Sequence, residues 1–189
     1  PTTGPSVRNG VYTQYGAGDG TPYITQRYPI NIWAIPDATT GYIGRGCYAW
    51  NPQGTLSSYI YFVNGNKVYL GSYSTPLVQT IAAGNMPVRF VELGNYLLLI
   101  DTQGNAVYYI DAAANTTLVK ITLGAFPFNS GYTLAGGGVS LNGIFYLMDT
   151  QGNIWNSHDP FFNGLTPNDA SQWVGEFINA SRSTDGGSY

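Results

Sequence analysis

The sequence has few of the residues that most protein chemistry relies on. Its 189 residues include one cysteine, Cys47, and one histidine, His158. A lone cysteine cannot close an internal disulfide, which excludes a disulfide-stapled secreted domain. One His and one Cys cannot supply a two-His or two-Cys cluster, so no His-based zinc site is expected, and no other metal or cofactor. Charged residues make up only 9% of the chain. The seven basic ones, Arg8, Arg27, Arg45, Lys67, Arg89, Lys120 and Arg182, stand singly, and the net charge is −3. Without a basic stripe, a specific grip on nucleic acid is not expected. No run is apolar and long enough for a membrane span and no signal peptide is read, so membrane insertion is not expected. Amphipathic helical periodicity is nearly missing too, which argues against a βαβ protein. Charge this sparse fits two situations equally well: extensive contact with other subunits, or a surface rich in Ser, Thr, Asn and Tyr.

Glycine and aromatic residues are abundant instead, with 25 glycines and 15% aromatics. That composition points to an all-β chain. One stretch occurs twice. Asp101-Thr102-Gln103-Gly104-Asn105 returns as Asp149-Thr150-Gln151-Gly152-Asn153. Each copy lies between two apolar runs, which is the signature of a β-hairpin. Gly104 and Gly152 are expected to supply the positive φ of the turn, with Asn105 and Asn153 next best suited. Asp101 and Asp149 are expected to start the turns by accepting backbone N–H bonds. Residues 58–70 have the same form around Gly65-Asn66, and a fainter copy lies at Val7 to Tyr12. The spacing is near the roughly 40–50 residues of a β-propeller blade. Tyr96 to Ile100 is apolar on both faces, as a strand packed between two neighbouring sheets would be. The expected fold is therefore a β-propeller-like array of antiparallel hairpins, either four units or an opened fragment of a larger ring. It forms a single domain over residues 1–189, with a loop-rich segment at 1–40 and repeated hairpin blades at 41–189. Both ends read as cuts, so a longer parent chain is expected.

Smaller elements follow. Residues 77–81 and 117–121 are short β-capable segments that would serve as outer strands. Residues 124–138, with three glycines at the end, read as a connection. Residues 168–180 read as a short helix with Trp173 and Phe177 one turn apart.

Catalytic constellations are sparse. A Ser-His-Asp arrangement would have to use His158, beside Asp159, and no G-x-S-x-G elbow is present. Asp149-x-x-Gly152-x-x-Trp155 resembles the Asp-box hairpin of sialidase-type propellers, but with two residues in place of one between Asp and Gly. No spacing singles out a pair of carboxylates for glycoside hydrolysis. The chain is not expected to be an enzyme. The aromatic residues Trp50, Trp155 and Trp173 keep a carbohydrate- or receptor-binding propeller open as an alternative, with a propeller glycosidase as the second.

The order of elements resembles the N-terminal part of the packaged-DNA-stabilisation, or tail-hub, proteins of short-tailed bacteriophages. The residues that carry it include 27–30 (Arg-Tyr-Pro-Ile), 44–47 (Gly-Arg-Gly-Cys), the hairpins at 58–69 and 94–108, and 169–173 followed by Phe177. This chain departs from the family's pattern at residues 159–164, which interrupt its blade-closing segment. The resemblance implies a non-enzymatic virion protein of the phage tail. It would retain the packaged genome and form a homo-oligomeric ring. Its partners would be the portal or adaptor ring and the tail needle, spikes or fibres. Trp155, His158, Phe161, Phe162 and Trp173 would be candidate partner contacts.

Overall fold

The computed structural model describes residues 10–13, 23–26, 43–53, 56–71, 76–158, 164–173 and 177–179. The chain divides into two compact units, Pro1–Trp33 and Ala34–Tyr189, close to the end of the loop-rich segment. The first unit contains a two-stranded antiparallel hairpin of β1 (Gly10–Thr13) and β2 (Tyr23–Gln26). Val11 and Tyr12 therefore belong to a strand that pairs onward with β2. Gly10 of the fainter copy is the first residue of β1, and Val7 to Asn9 lie outside the described residues.

The second unit is built from three antiparallel meanders. The first joins β3 (Gly44–Trp50), β4 (Tyr59–Asn64) and β5 (Lys67–Leu70). The second joins β6 (Val88–Leu93), β7 (Tyr96–Asp101), β8 (Ala106–Asp111) and β9 (Val119–Lys120). The third joins β10 (Leu134–Leu141), β11 (Ile144–Asp149), β12 (Asn153–Asn156) and β13 (Phe177–Asn179). All three hairpins read from the repeats are present, as β4–β5, β7–β8 and β11–β12. The chain is all-β.

The sheets stack face to face, with β3 against β6 and β6 against β10. Two glycines permit the close approach. A Cβ on Gly46 would meet Val88 Cγ2 at 2.9 Å, and one on Gly138 would meet Ile100 Cδ1 at 2.5 Å. The middle sheet is therefore covered on both sides. Alternate residues of β7 enter different cores. Leu97 and Leu99 pack with Trp50, Tyr61 and Val63, whereas Leu98 and Ile100 pack with Phe145, Leu147 and Trp155. All six β7 residues are buried. Each buried Leu or Ile contributes about 1.5–3 kcal/mol, so neither face of β7 can carry a polar residue cheaply.

Three sequence expectations are corrected. The described residues of the segment at 168–180 do not form the expected helix. Residues 167–173 form turns closed by Asp169 N to Thr166 O and Gln172 N to Asp169 O, and Phe177–Asn179 is a strand paired with β12. Pairing at the edge of an existing sheet outweighs the weak helical preference of so short a segment. The three glycines at 136–138 lie within β10, with a register shift between Leu134 and Gly138, and are not part of a connection. Residues 77–81 form no strand, although Leu77 N and Ile81 N donate to Val68 O and Asn66 O beside β5. By contrast, Val119–Lys120 supplies an outer strand in the expected place.

Candidate functional site

The polar groups that the sequence singled out gather at the hairpin turns between neighbouring sheets. The two identical pentapeptides do not form the same turn. In the β7–β8 hairpin, Asp101 pairs with Ala106, and the loop is Thr102 to Asn105. Here the left-handed residue is Asn105, with φ 46°, and not Gly104. In the β11–β12 hairpin, the last register pair is Met148 with Ile154, so the pairing is slipped by one residue relative to the first copy. The left-handed residue there is Gly152, with φ 85°. Gly65 fills this role in the β4–β5 turn beside Asn66, with φ 57°. The expectation that Gly104 supplies positive φ is thus overturned.

The cause lies in where each aspartate finds its donors. Asp101 is fully buried and looks outward to a neighbouring sheet. Its Oδ1 accepts from Arg45 Nη2 at 2.6 Å and its Oδ2 from Ala82 N at 3.1 Å. Arg45, in β3, also donates to Gly65 O, Ala82 O and Met86 O. One buried guanidinium therefore joins the β3 sheet to the turn end of the β6 sheet. Asn105 completes this turn by donating to Phe128 O and Tyr132 O and accepting from Leu134 N.

Asp149 instead caps its own hairpin. Its Oδ1 accepts from Gln151 N and Asn153 N, and its Oδ2 from Asn153 Nδ2 and Trp155 Nε1. Burial is the largest single influence on this carboxyl and acts to raise its pKa. The hydrogen bonds from Trp155, Asn153 and Gln151 outweigh it, so the folded value lies below the usual 3.8. A depressed folded pKa stabilises above the unfolded value, and that contribution is lost as pH falls through the folded value. Asp149→Asn should therefore lower stability at neutral pH and flatten the loss of stability on acidification below about pH 4. Denaturant midpoints measured from neutral pH into the acid range check this; an unchanged acid slope would contradict it.

The glycines predict differently. Gly152→Asn should cost well under about 1 kcal/mol, because Asn tolerates the left-handed region. Gly104→Asn should cost roughly 1–3 kcal/mol through crowding, since a Cβ there would meet Ala82 Cβ and Asp101 Oδ2, each at 2.8 Å. Thermal unfolding of the two variants side by side decides between this and a shared requirement for positive φ.

The aromatic candidates turn inward. Trp50 is fully buried, Trp155 is 7% exposed and Trp173 is 2% exposed. Trp155 packs edge-on to Tyr132, and Trp173 packs edge-on to Phe126 and donates to Pro167 O. As placed, all three are core residues, which counts against a sugar platform and corrects the expectation of Trp155 and Trp173 as partner contacts. The slipped register is the reason for Trp155: a shift of one residue sends a strand's side chains to the opposite face. His158 is exposed, and its backbone N–H donates to Gln172 O at 2.7 Å. Phe161, Phe162 and Asp159 lie outside the described residues. Cys47 is exposed on β3.

Among the described residues, no group of three or more His, Cys, Asp or Glu is placed to hold a metal ion, and no helix is long and apolar enough to cross a membrane. The residue that the sequence reading passed over is Arg45. Nothing local marks it, because its carboxylate partner stands 56 residues away. No family model and no curated protein sequence matches this chain.

Proposed function

We propose that this chain is a structural, non-enzymatic component of a short-tailed phage tail hub, built as an incomplete β-propeller-like array that is completed by neighbouring β-sheets in the assembled tail. In this reading it helps to retain the packaged genome and anchors the needle, spikes or fibres. The observation that carries the reading is the outer face of the β10 sheet. In the register, Val139 opposite Tyr146 corresponds to Val91 opposite Leu98. Met148 opposite Ile154 likewise corresponds to Ile100 opposite Val107. Val91, Leu98, Ile100 and Val107 form the face of the β6 sheet that packs with β10-sheet residues in one core. Their counterparts on the β10 sheet keep the same apolar character, yet Val139 is 56% and Met148 39% exposed. Leu141, at the end of the same strand, is 59% exposed. A contiguous apolar sheet face of this kind marks a packing surface, and a sheet of the same build is the partner it matches. The resemblance to the tail-hub family supplies the biological setting.

Native mass spectrometry of the protein taken from its source tests the reading. A ring of subunits recovered with virus particles is the expected result. Monomers absent from particles would overturn it. Met148→Glu combined with Val139→Glu should prevent the assembly while leaving the fold intact, since both side chains are already solvent-accessible.

A further inference from the structure

We propose that the cleft beside Arg89 is a binding site for a single carboxylate. The template is internal. Both arginines come directly after the first register pair of their sheet, Gly44 with Asn64 and Val88 with Asp101; Arg45 stands in the register shift between Gly44 and Gly46, whereas Arg89 pairs with Ile100. Arg45 uses its position to hold the aspartate at the end of β7 in the neighbouring sheet. The corresponding aspartate for Arg89 is Asp149, at the end of β11. That carboxylate already accepts four hydrogen bonds from its own hairpin. Among the described residues, Arg89 makes no ion pair, and it is exposed.

Arg89 instead lines a cleft of about 360 Å³ together with Thr102, Thr150, Met86, Pro87 and Leu134. Gly136, with φ 84°, also lines it, and a Cβ there would meet Thr102 Cγ2 at 3.0 Å. Among the described residues, no acidic side chain lines the cleft. A planar guanidinium offers two parallel donors to one carboxylate, and threonine hydroxyls can donate beside them. The apolar wall suits a short carbon stem. The volume sits at the small end of ligand sites, enough for one side chain or one sugar ring. The fork of a guanidinium matches carboxylate and phosphate alike, but the one positive charge lining the cleft balances a single negative charge. The carboxylate has two possible sources, an acidic sugar or an Asp or Glu side chain of a partner protein. This inference stands apart from the assembly reading: a protein that failed to form rings could still bind here, and a ring with an inert cleft would sink this inference alone.

The test is a titration of the ¹⁵N-labelled full chain followed by NMR at the Arg89 side chain and the Thr102 and Thr150 amides. The probes are galacturonate and N-acetyl-aspartate methylamide, with galactose and N-acetyl-asparagine methylamide as their neutral counterparts. Saturable shifts with a charged probe and not with its neutral counterpart are expected, weakened about tenfold or more by Arg89→Gln. A response to galacturonate alone identifies an acidic sugar as the source, and a response to the aspartate probe alone identifies a partner side chain. A response to both supports the shared carboxylate chemistry. No saturable shift with either charged probe, equal shifts with the neutral probes, or shifts unchanged in Arg89→Gln would overturn the proposal. The Arg89→Gln spectrum reports on its own folding, because Arg89 is at the surface.

Discussion

Asp101→Ala should destabilise the protein by about 3–5 kcal/mol, because it leaves the Arg45 guanidinium buried without a counter-charge. The two side chains are both 0% exposed and 2.6 Å apart. Three carbonyls would still accept from Arg45, at Gly65, Ala82 and Met86. They cannot supply the missing negative charge, and Ala82 N also loses its acceptor at Oδ2. A protein of this kind has only about 5–15 kcal/mol in total, so roughly a fifth or more of the stability would go. Arg45→Met should cost a similar amount by stranding the carboxylate. The double variant Arg45→Met with Asp101→Leu should cost much less than the sum, since replacing a whole buried pair by apolar groups is often close to neutral. Urea denaturation of the four proteins measures this directly. Single variants that lose less than about 1 kcal/mol would mean that the pair is solvated, as surface pairs are.

Trp155→Ala should cost about 3–5 kcal/mol, the usual range for deleting a buried tryptophan. The ring packs against Tyr132 with centroids 4.5 Å apart, and its Nε1 donates to Asp149 at 3.0 Å. Trp155→Phe separates the two contributions. It keeps most of the packing but removes a hydrogen bond to a charged group, worth about 1.5–3 kcal/mol. It should also raise the pKa of Asp149, since that donor is among the influences holding the carboxyl down. The loss of stability on acidification should then be smaller than in the parent and level off at higher pH. Equal stability of Trp155→Ala and the parent would place the ring at the surface, where a sugar or partner could reach it.

Much of the fold was legible in the sequence because β-structure here is locally encoded. Apolar runs broken by Gly-Asn turns specify hairpins, and a run apolar on both faces, Tyr96 to Ile100, specifies a strand between two sheets. The near absence of amphipathic periods argued against a βαβ protein in the same way, although the helix read at 168–180 was wrong. The site was far less legible. Asp101 and Asp149 stand in identical pentapeptides, so no local rule distinguishes them. Only the tertiary structure gives one an arginine from the preceding sheet and leaves the other to its own hairpin. That difference sets which residue takes the left-handed conformation, Asn105 in one turn and Gly152 in the other. It accompanies the one-residue slip that turns Trp155 inward and Ile154 outward. The strands were determined by short-range pattern. Their register at the repeated turns, the burial of the tryptophans and the lack of an ion pair at Arg89 among the described residues were decided by which sheet lies next to which, because buried charge must find its partner across the interface and not along the chain.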